Sequence, residues 1–378
     1  MKIAVYYDLT RGGAAFALVR FVAHLRAGNS VDVFAPRGAW PIVDDVRWIG
    51  ETPRALPRLF YYANRFLLPR RLAELARVEE ELAGSLGAYD RVLVHACRER
   101  GAPALLSALG GRAHYYVTEP LRLYREPRPE DALPEPWWST ARAVYAPISH
   151  RLNANDARHA ADAGTLIANS DYTHRRIADV YARDAVIAPP SLDPFYLETP
   201  PGAGDGDFVL SPGALIPQKG HGRVIRALGT WPSPPPLVVA GFHGRSGYAR
   251  RLRRLAALHH VPLRIVRDLD PETLRRLLGQ ARVTAIAAVR EPFGLVSLEA
   301  QAAGRPVVVV DEGGLPETVA PGETGLVSAP HAKELGEALH ELWADAPKQA
   351  QMGARGRERV AELYSIARCG ARLEAALG

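Results

Sequence analysis

The sequence predicts an α/β protein of two tandem domains, each a parallel sheet flanked by helices, facing each other across a cleft. Three observations carry that expectation. The chain has 378 residues, which suits two domains of roughly 150–200 residues better than one core. Short β-rich runs alternate with longer helical stretches along its length, the pattern of parallel layers. A break rich in glycine, proline and aspartate, Thr199-Pro200-Pro201-Gly202-Ala203-Gly204-Asp205-Gly206, separates a first series of such runs from a second.

In the first series the expected strands are Ile3–Tyr7, Val31–Ala35, Arg91–His95, Ala113–Val117, Leu166–Asn169 and Val186–Ala188. In the second they are Phe208–Leu210, Leu237–Ala240, Leu263–Val266, Val283–Ala287 and Val307–Val310. The C-terminal stretch reads as helices, with Leu335, Leu339 and Leu342 on one face. Ligands of open parallel sheets bind at the carboxyl ends of the strands, so the cleft is the expected site.

Composition narrows the class. Apolar residues are 47% and charged residues 23%, a globular balance. The N-terminus reaches Asp8 and Arg11 too soon for a signal peptide, and no run of 18 apolar residues offers a membrane span. Cys97 and Cys369 are the only cysteines, too few for a disulfide framework or a cysteine zinc site, and in keeping with the cytoplasm. The formal net charge is +6 with only four lysines. Such an arginine preference reads as coding bias as much as function, and no motif supports a nucleic-acid partner.

The informative segment runs Glu291-Pro292-Phe293-Gly294-Leu295-Val296-Ser297-Leu298-Glu299 and on through Ala303-Gly304-Arg305-Pro306 to Val307–Val310 and Gly313-Gly314-Leu315-Pro316-Glu317. Phe293-Gly294 makes a tight turn, and Leu295 to Ala303 is a helix stopped by Gly304 and Pro306. Backbone N–H groups at Gly294, Leu295 and Val296 would face a diphosphate at that helix N-terminus. Glu299, about one turn inside, can face the same cleft and accept both hydroxyls of a ribose. Glu291, on the loop, is placed to hold hydroxyls of a sugar.

That string resembles the Glu-x7-Glu signature of the family 4 retaining glycosyltransferases, whose fold is GT-B, two Rossmann-like domains. Other segments match in order. Ser211-Pro212-Gly213-Ala214-Leu215-Ile216-Pro217-Gln218-Lys219-Gly220 resembles the family loop whose lysine binds the donor diphosphate, which implies that role for Lys219. Arg11-Gly12-Gly13 resembles the family's N-domain glycine loop, so Gly12 and Gly13 are candidates for close backbone approach to phosphate or acceptor. Tyr116-Val117-Thr118-Glu119-Pro120-Leu121-Arg122 resembles an acceptor-side loop of mannosyltransferase-like members. Thr118, Glu119 and Arg122 become acceptor-binding candidates. There are departures: Ala214 stands where many members carry a second phosphate-binding arginine, Thr118 where the mannosyltransferase-like loop has histidine, and Val266–Asp270 is shorter than the usual loop near the base.

The expected domains are residues 1–200 for the acceptor and 207–363 for the donor, with 364–378 a helix crossing back to the first. The implied reaction is retaining transfer of a hexose from a GDP- or UDP-linked donor to a glycan, lipid-linked or small-molecule acceptor. Lys219 and Glu291 are the catalytic candidates; Gly12, Gly13 and Phe293 join Gly294, Leu295, Val296 and Glu299 in holding the donor. No cofactor or metal is expected: Asp268-Leu269-Asp270 reads as a helix cap, Asp205-Gly206-Asp207 as linker, and the histidines lack ligand spacing. An inverting transferase, an epimerase or an inactive donor-binding scaffold are the alternatives. Finally, arginines interleave with aromatics between Arg54 and Arg77, which suits peripheral contact with an anionic membrane through Arg58, Arg65, Arg70 and Arg71. Pro57 and Pro69 are expected to break any long helix there.

Overall fold

A computed structural model describes residues 1–51, 61–97, 100–121, 138–199, 206–241 and 246–378. They form two α/β units. The first carries β1 (Lys2–Tyr6), α1 (Gly13–Gly28), β2 (Ser30–Arg37), β3 (Arg47–Glu51), α2 (Tyr61–Ser85), β4 (Arg91–His95), α3 (Leu105–Leu109), β5 (Ala113–Val117), α4 (Trp138–Asp162), β6 (Thr165–Ala168), α5 (Asp171–Tyr181) and β7 (Val186–Ile187). These strands pair in parallel, in the order β3-β2-β1-β4-β5-β6-β7.

The second unit carries β8 (Val209–Pro212), α6 (His221–Leu228), β9 (Leu237–Gly241), α7 (Ser246–Leu258), β10 (Leu263–Arg267), α8 (Pro271–Gln280), β11 (Val283–Ile286), α9 (Leu295–Ala302), β12 (Val307–Val310), β13 (Gly325–Ser328), α10 (Ala332–Ala344) and α11 (Ala346–Leu363). Its sheet is parallel in the order β10-β9-β8-β11-β12-β13. Strands covered on both faces read as unbroken apolar runs, and Val307, Val308, Val309 and Val310 are each fully buried.

The last helix, α12 (Ile366–Leu377), belongs to the first unit and lies on α1. Gly370 faces His24 so closely that a Cβ would fall 2.1 Å from its ring. Asn29 donates to Glu374 at 2.8 Å, and Arg91 to the Gly378 carbonyl at 3.1 Å. The division between units falls between Ser191 and Leu192, ahead of the proline-glycine break. The chain docks on the second unit before that break: Leu192 N donates to Tyr364 O at 2.8 Å, and Arg357 binds the carbonyls of Leu197 and, at 2.9 Å, Thr199. Residues 200–205 of the break lie outside the described residues.

Two strands escape the sequence reading. β3 contains Gly50 at φ +43°, and β13 is a four-residue strand that begins at Gly325, so neither offers a β-branched run. Pro69 corrects another expectation, since α2 runs through it from Tyr61 to Ser85. The cost of an interior proline, about 3 kcal/mol, is offset by packing beyond it. Leu75 and Leu82 are buried, and the buried Glu79 carboxylate accepts from Tyr6, Arg100 and, at 2.9 Å, Ala104 N. That pair ties β1, α2 and the approach to α3 together, and breaking a buried ion pair costs about 3–5 kcal/mol.

His95, at the end of β4, is buried with its ring 5.4 Å from that of Tyr116. Nδ1 lies 2.9 Å from the Ala96 carbonyl, which only accepts, so this nitrogen carries the proton. Burial pushes the imidazole pKa down to about 4. The unfolded chain, with an ordinary histidine near 6.5, binds that proton first. Stability is therefore lost as pH falls from about 6.5 to about 4, by up to about 3 kcal/mol from this group. We expect His95→Phe to flatten that part of the acid slope in urea unfolding followed from pH 7 to 4.5. Parallel slopes in parent and variant would show that His95 does not titrate this way.

Candidate active site

In the second unit the loops after β8, β11 and β12 converge. After β8 the chain turns at Gly213 and forms one 3-10 turn, Pro217–Lys219, ended by Gly220 at φ +68°. A Cβ on Gly220 would lie 1.8 Å from the Ala287 carbonyl oxygen, so only glycine lets the turn rest on the chain leaving β11. Val289 N donates to Gln218 O at 2.8 Å and locks that contact. The lysine next to it is thereby fixed in place.

Lys219 Nζ lies 2.9 Å from Glu291 Oε1 and 2.7 Å from Oε2. Both side chains keep partial exposure, 29% and 22%, so a ligand can reach the pair. The backbone at Glu291 is held from the other side. Gly314 N donates to Glu291 O at 2.7 Å, and a Cβ on Gly313 would sit 2.2 Å from that oxygen. Arg290, just before, adopts φ +50°, a left-handed conformation that costs a non-glycine residue about 1–3 kcal/mol. Glu312 supports it, accepting from Arg290 N at 3.2 Å and from Arg223 Nη1 at 2.8 Å. The Arg223–Glu312 pair is only 11% and 19% exposed. Spacing gave no sign of this brace.

Gly294, at φ +112°, is the N-cap of α9 and offers no side-chain cap. The first helical residues, Leu295 and Val296, are half-buried, as is Glu299 one turn further on. An uncapped helix start presents N–H groups and the positive end of the helix dipole. Phe293 precedes this cap. Its side chain is 4% exposed and packs edge-on against Tyr364 at 5.7 Å, which leaves its backbone alone to meet a ligand. Gln301 donates to Thr318 O at 2.9 Å, and Thr318 Oγ1 to Ser297 Oγ at 2.8 Å. These buried polar bonds hold α9 against the turn at Pro316–Thr318.

Ala214, where the family pattern has arginine, is held through its carbonyl. His221 is fully buried, with Nε2 3.1 Å from Ala214 O and Nδ1 2.8 Å from Ser211 Oγ. A carbonyl only accepts, so Nε2 carries the proton and the serine hydroxyl donates to Nδ1.

The remaining candidates lie in the first unit, at the carboxyl edge of its sheet. Gly12 is the N-cap of α1, in extended backbone, and a Cβ there would meet nothing within 4 Å. Gly13 opens the helix. Thr118 follows β5 and its carbonyl accepts from Thr173 Oγ1 at 3.3 Å; Glu119 is half-buried beside it. Arg122, Arg58 and the side chain of Arg65 lie outside the described residues. Asp270 caps α8, accepting from Thr273 N at 2.8 Å, as the sequence reading has it. Among the described residues no cluster of three or more metal-ligating side chains occurs, and no helix is long and apolar enough to cross a membrane.

Comparison with known proteins fits this geometry. The family described as "Glycosyl transferases group 1" matches residues 198–359. A GDP-mannose-dependent alpha-(1-6)-phosphatidylinositol monomannoside mannosyltransferase of Mycolicibacterium smegmatis is 31% identical over 385 residues, covering 96% of this chain and 94% of its own. A D-inositol 3-phosphate glycosyltransferase of Actinosynnema mirum is 33% identical over 226 residues, 53% of this chain and 52% of its own. Among solved structures, Anabaena HepE in complex with UDP and glucose superposes with a TM-score of 0.74 at 17% identity, over 100% of this chain and 99% of that one, a likeness of fold. With a relative of this identity matched over nearly its whole length, the chain belongs to the group 1, family 4-type glycosyltransferases of GT-B fold, and transfers sugar from a nucleotide-sugar donor.

Proposed function

We propose that the chain transfers a hexose, with retention at the anomeric carbon, from a nucleoside diphosphate sugar to a lipid-linked acceptor. The observation that carries this reading is the Lys219–Glu291 pair beside the uncapped start of α9. The relative from M. smegmatis, named for GDP-mannose and a phosphatidylinositol mannoside, supports GDP-mannose as the first donor to test; the UDP in HepE supports a UDP-hexose as the second. A lipid-linked acceptor carries with it a peripheral contact with an anionic membrane, at its cytoplasmic face.

In this reading the two partners separate when donor enters. The diphosphate takes Lys219, and the released Glu291 carboxylate accepts hydroxyls of the sugar. As the sugar–phosphate bond breaks, negative charge grows on the leaving group. Lys219, the N–H groups of Leu295 and Val296 and the α9 dipole stabilise it, the kind of preorganised electrostatics that dominates such steps. Glu299 holds the ribose, Gly12 and Gly13 let the backbone approach the donor, and Thr118 and Glu119 serve the acceptor side. The acceptor hydroxyl attacks the face the diphosphate leaves, through an oxocarbenium-like transition state, and its proton passes to the departing diphosphate oxygen. No metal or cofactor is required beyond the donor itself.

The direct test is incubation of the purified chain with GDP-mannose and a lipid-linked inositol mannoside, with NMR of the product's anomeric centre. Retention, and rates unchanged in excess EDTA, are expected; an inverted product or activity restored only by Mn²⁺ or Mg²⁺ contradicts the proposal.

The roles also separate kinetically. Ribose does not change during the reaction, so Glu299→Ala should mainly raise donor KM, by about 1.5–3 kcal/mol. Lys219→Ala should depress kcat roughly 10²–10³-fold, and Glu291→Ala should lower kcat by misplacing the sugar. Near-normal kcat in a folded Lys219→Ala would remove it from the leaving-group site.

The Arg223–Glu312 brace is a positioning device. Arg223→Met should lower kcat/KM about tenfold through a looser Arg290–Glu291 segment, and Arg223→Lys should recover part of it at equal thermal stability. A variant that loses stability and activity together, without such rescue, would mark the pair as structural only.

A further inference from the structure

Charge is distributed unevenly along the second unit. From Phe208 to Arg267 the chain has ten Lys and Arg and no Asp or Glu, more than the +6 of the whole chain, so the remainder is net acidic. Much of that charge gathers at one edge. Helix α7 turns Tyr248, Ala249, Leu252 and Ala256 inward, each buried, and leaves Arg250, Arg253 and Arg254 exposed. Beside it β10 is the terminal strand of the sheet, with Arg264 exposed. Elsewhere in this unit several arginines are compensated: Arg223 pairs with Glu312, Arg275 with Glu198 and Glu272, and Arg282 with Asp207; Arg276 and Arg355 are exposed without an ion pair among the described residues but stand apart from this cluster in sequence. Among the described residues, none of the four at the α7–β10 edge forms an ion pair. At the end of α7, Leu258 is 73% exposed.

We propose that this edge is a docking surface for an anionic lipid bilayer. The inference rests on the reading above of a transferase acting on a lipid-linked acceptor, and it assigns the membrane contact to particular side chains. Uncompensated guanidinium groups on an exposed helix face and the adjoining strand complement anionic headgroups. An exposed leucine among cations suits the boundary between headgroups and acyl chains. A single-stranded nucleic acid would call for exposed aromatic rings to stack its bases, and the one aromatic side chain described on α7, Tyr248, is 2% exposed. Charge on a terminal strand also keeps it from pairing with another sheet, which accounts for Arg264 but not for three arginines on the helix. In the first unit, by contrast, acids accompany the described part of the basic segment: Arg70 pairs with Glu74 at 3.3 Å, and the exposed Glu80 and the neighbouring Glu81 follow on α2.

The test is co-sedimentation of the full chain with phosphatidylcholine vesicles, with and without phosphatidylglycerol, at low and high salt. Donor hydrolysis is measured in parallel without vesicles. Binding should require phosphatidylglycerol and weaken with salt. The variant R250Q/R253Q/R254Q/R264Q should partition roughly 100- to 1000-fold more weakly, its four-lysine counterpart should still bind, and donor hydrolysis should be unchanged in both. Equal partitioning of parent and glutamine variant, or loss of binding in R70Q/R71Q instead, overturns this surface while leaving membrane contact standing. A parent that ignores phosphatidylglycerol overturns the contact itself, and the transferase reading is judged separately by donor turnover. Tighter binding to a short RNA duplex than to anionic vesicles at equal ionic strength also overturns the proposal.

Discussion

At Gly220 and Gly313 the second unit brings backbone against backbone, so that a Cβ would lie 1.8 Å and 2.2 Å from the carbonyl oxygens of Ala287 and Glu291. Everything proposed for the site follows from these two approaches. One seats the turn bearing Lys219 on the chain leaving β11; the other seats the loop after β12 on the segment bearing Glu291. Side chains interposed at either place would push the loops apart and separate the ammonium from the carboxylate. Because both contacts are made by the main chain, they are stiff, and the charged atoms they present are already placed before any ligand arrives.

That stiffness is secured by polar groups inside the unit. His221 joins Ser211 to the Ala214 carbonyl, while Gln301, Ser297 and Thr318 join α9 to the turn that follows β12. Each of these side chains makes at least one hydrogen bond, where desolvation would leave an unpaired polar atom costing about 1–3 kcal/mol. Lys219 and Glu291 remain partly exposed, so the bond between them can be exchanged for bonds to a ligand at modest cost.

Much of the fold was legible because parallel strands buried on both faces leave continuous apolar runs, such as Val307–Val310. β3 and β13 left no such trace: one carries a glycine in left-handed backbone, the other has only Leu326 and Val327 between a glycine and a serine. The Glu-x7-Glu spacing and the glycines around it pointed to the family to which the chain belongs. That Lys219 would lie against Glu291 was not legible, since the two are 72 residues apart and meet only through loop packing. The support given by Arg223 and Glu312 was hidden for the same reason. Pro69 shows the opposite failure, a strong local signal overruled by the packing of Leu75, Leu82 and Glu79.

The placement of α12 on α1 bears on how the protein is made. The face of α1 that α12 covers, at His24 and, just past its end, Asn29, is in place early on the ribosome. Its covering helix begins only at Ile366. At about 5–20 residues per second, tens of seconds pass between the two. Through that interval the first unit must wait with an unfinished side, and the second unit is synthesised entirely within the wait. Folding in simple order from the N-terminus is therefore closed to this chain: its first unit is completed last.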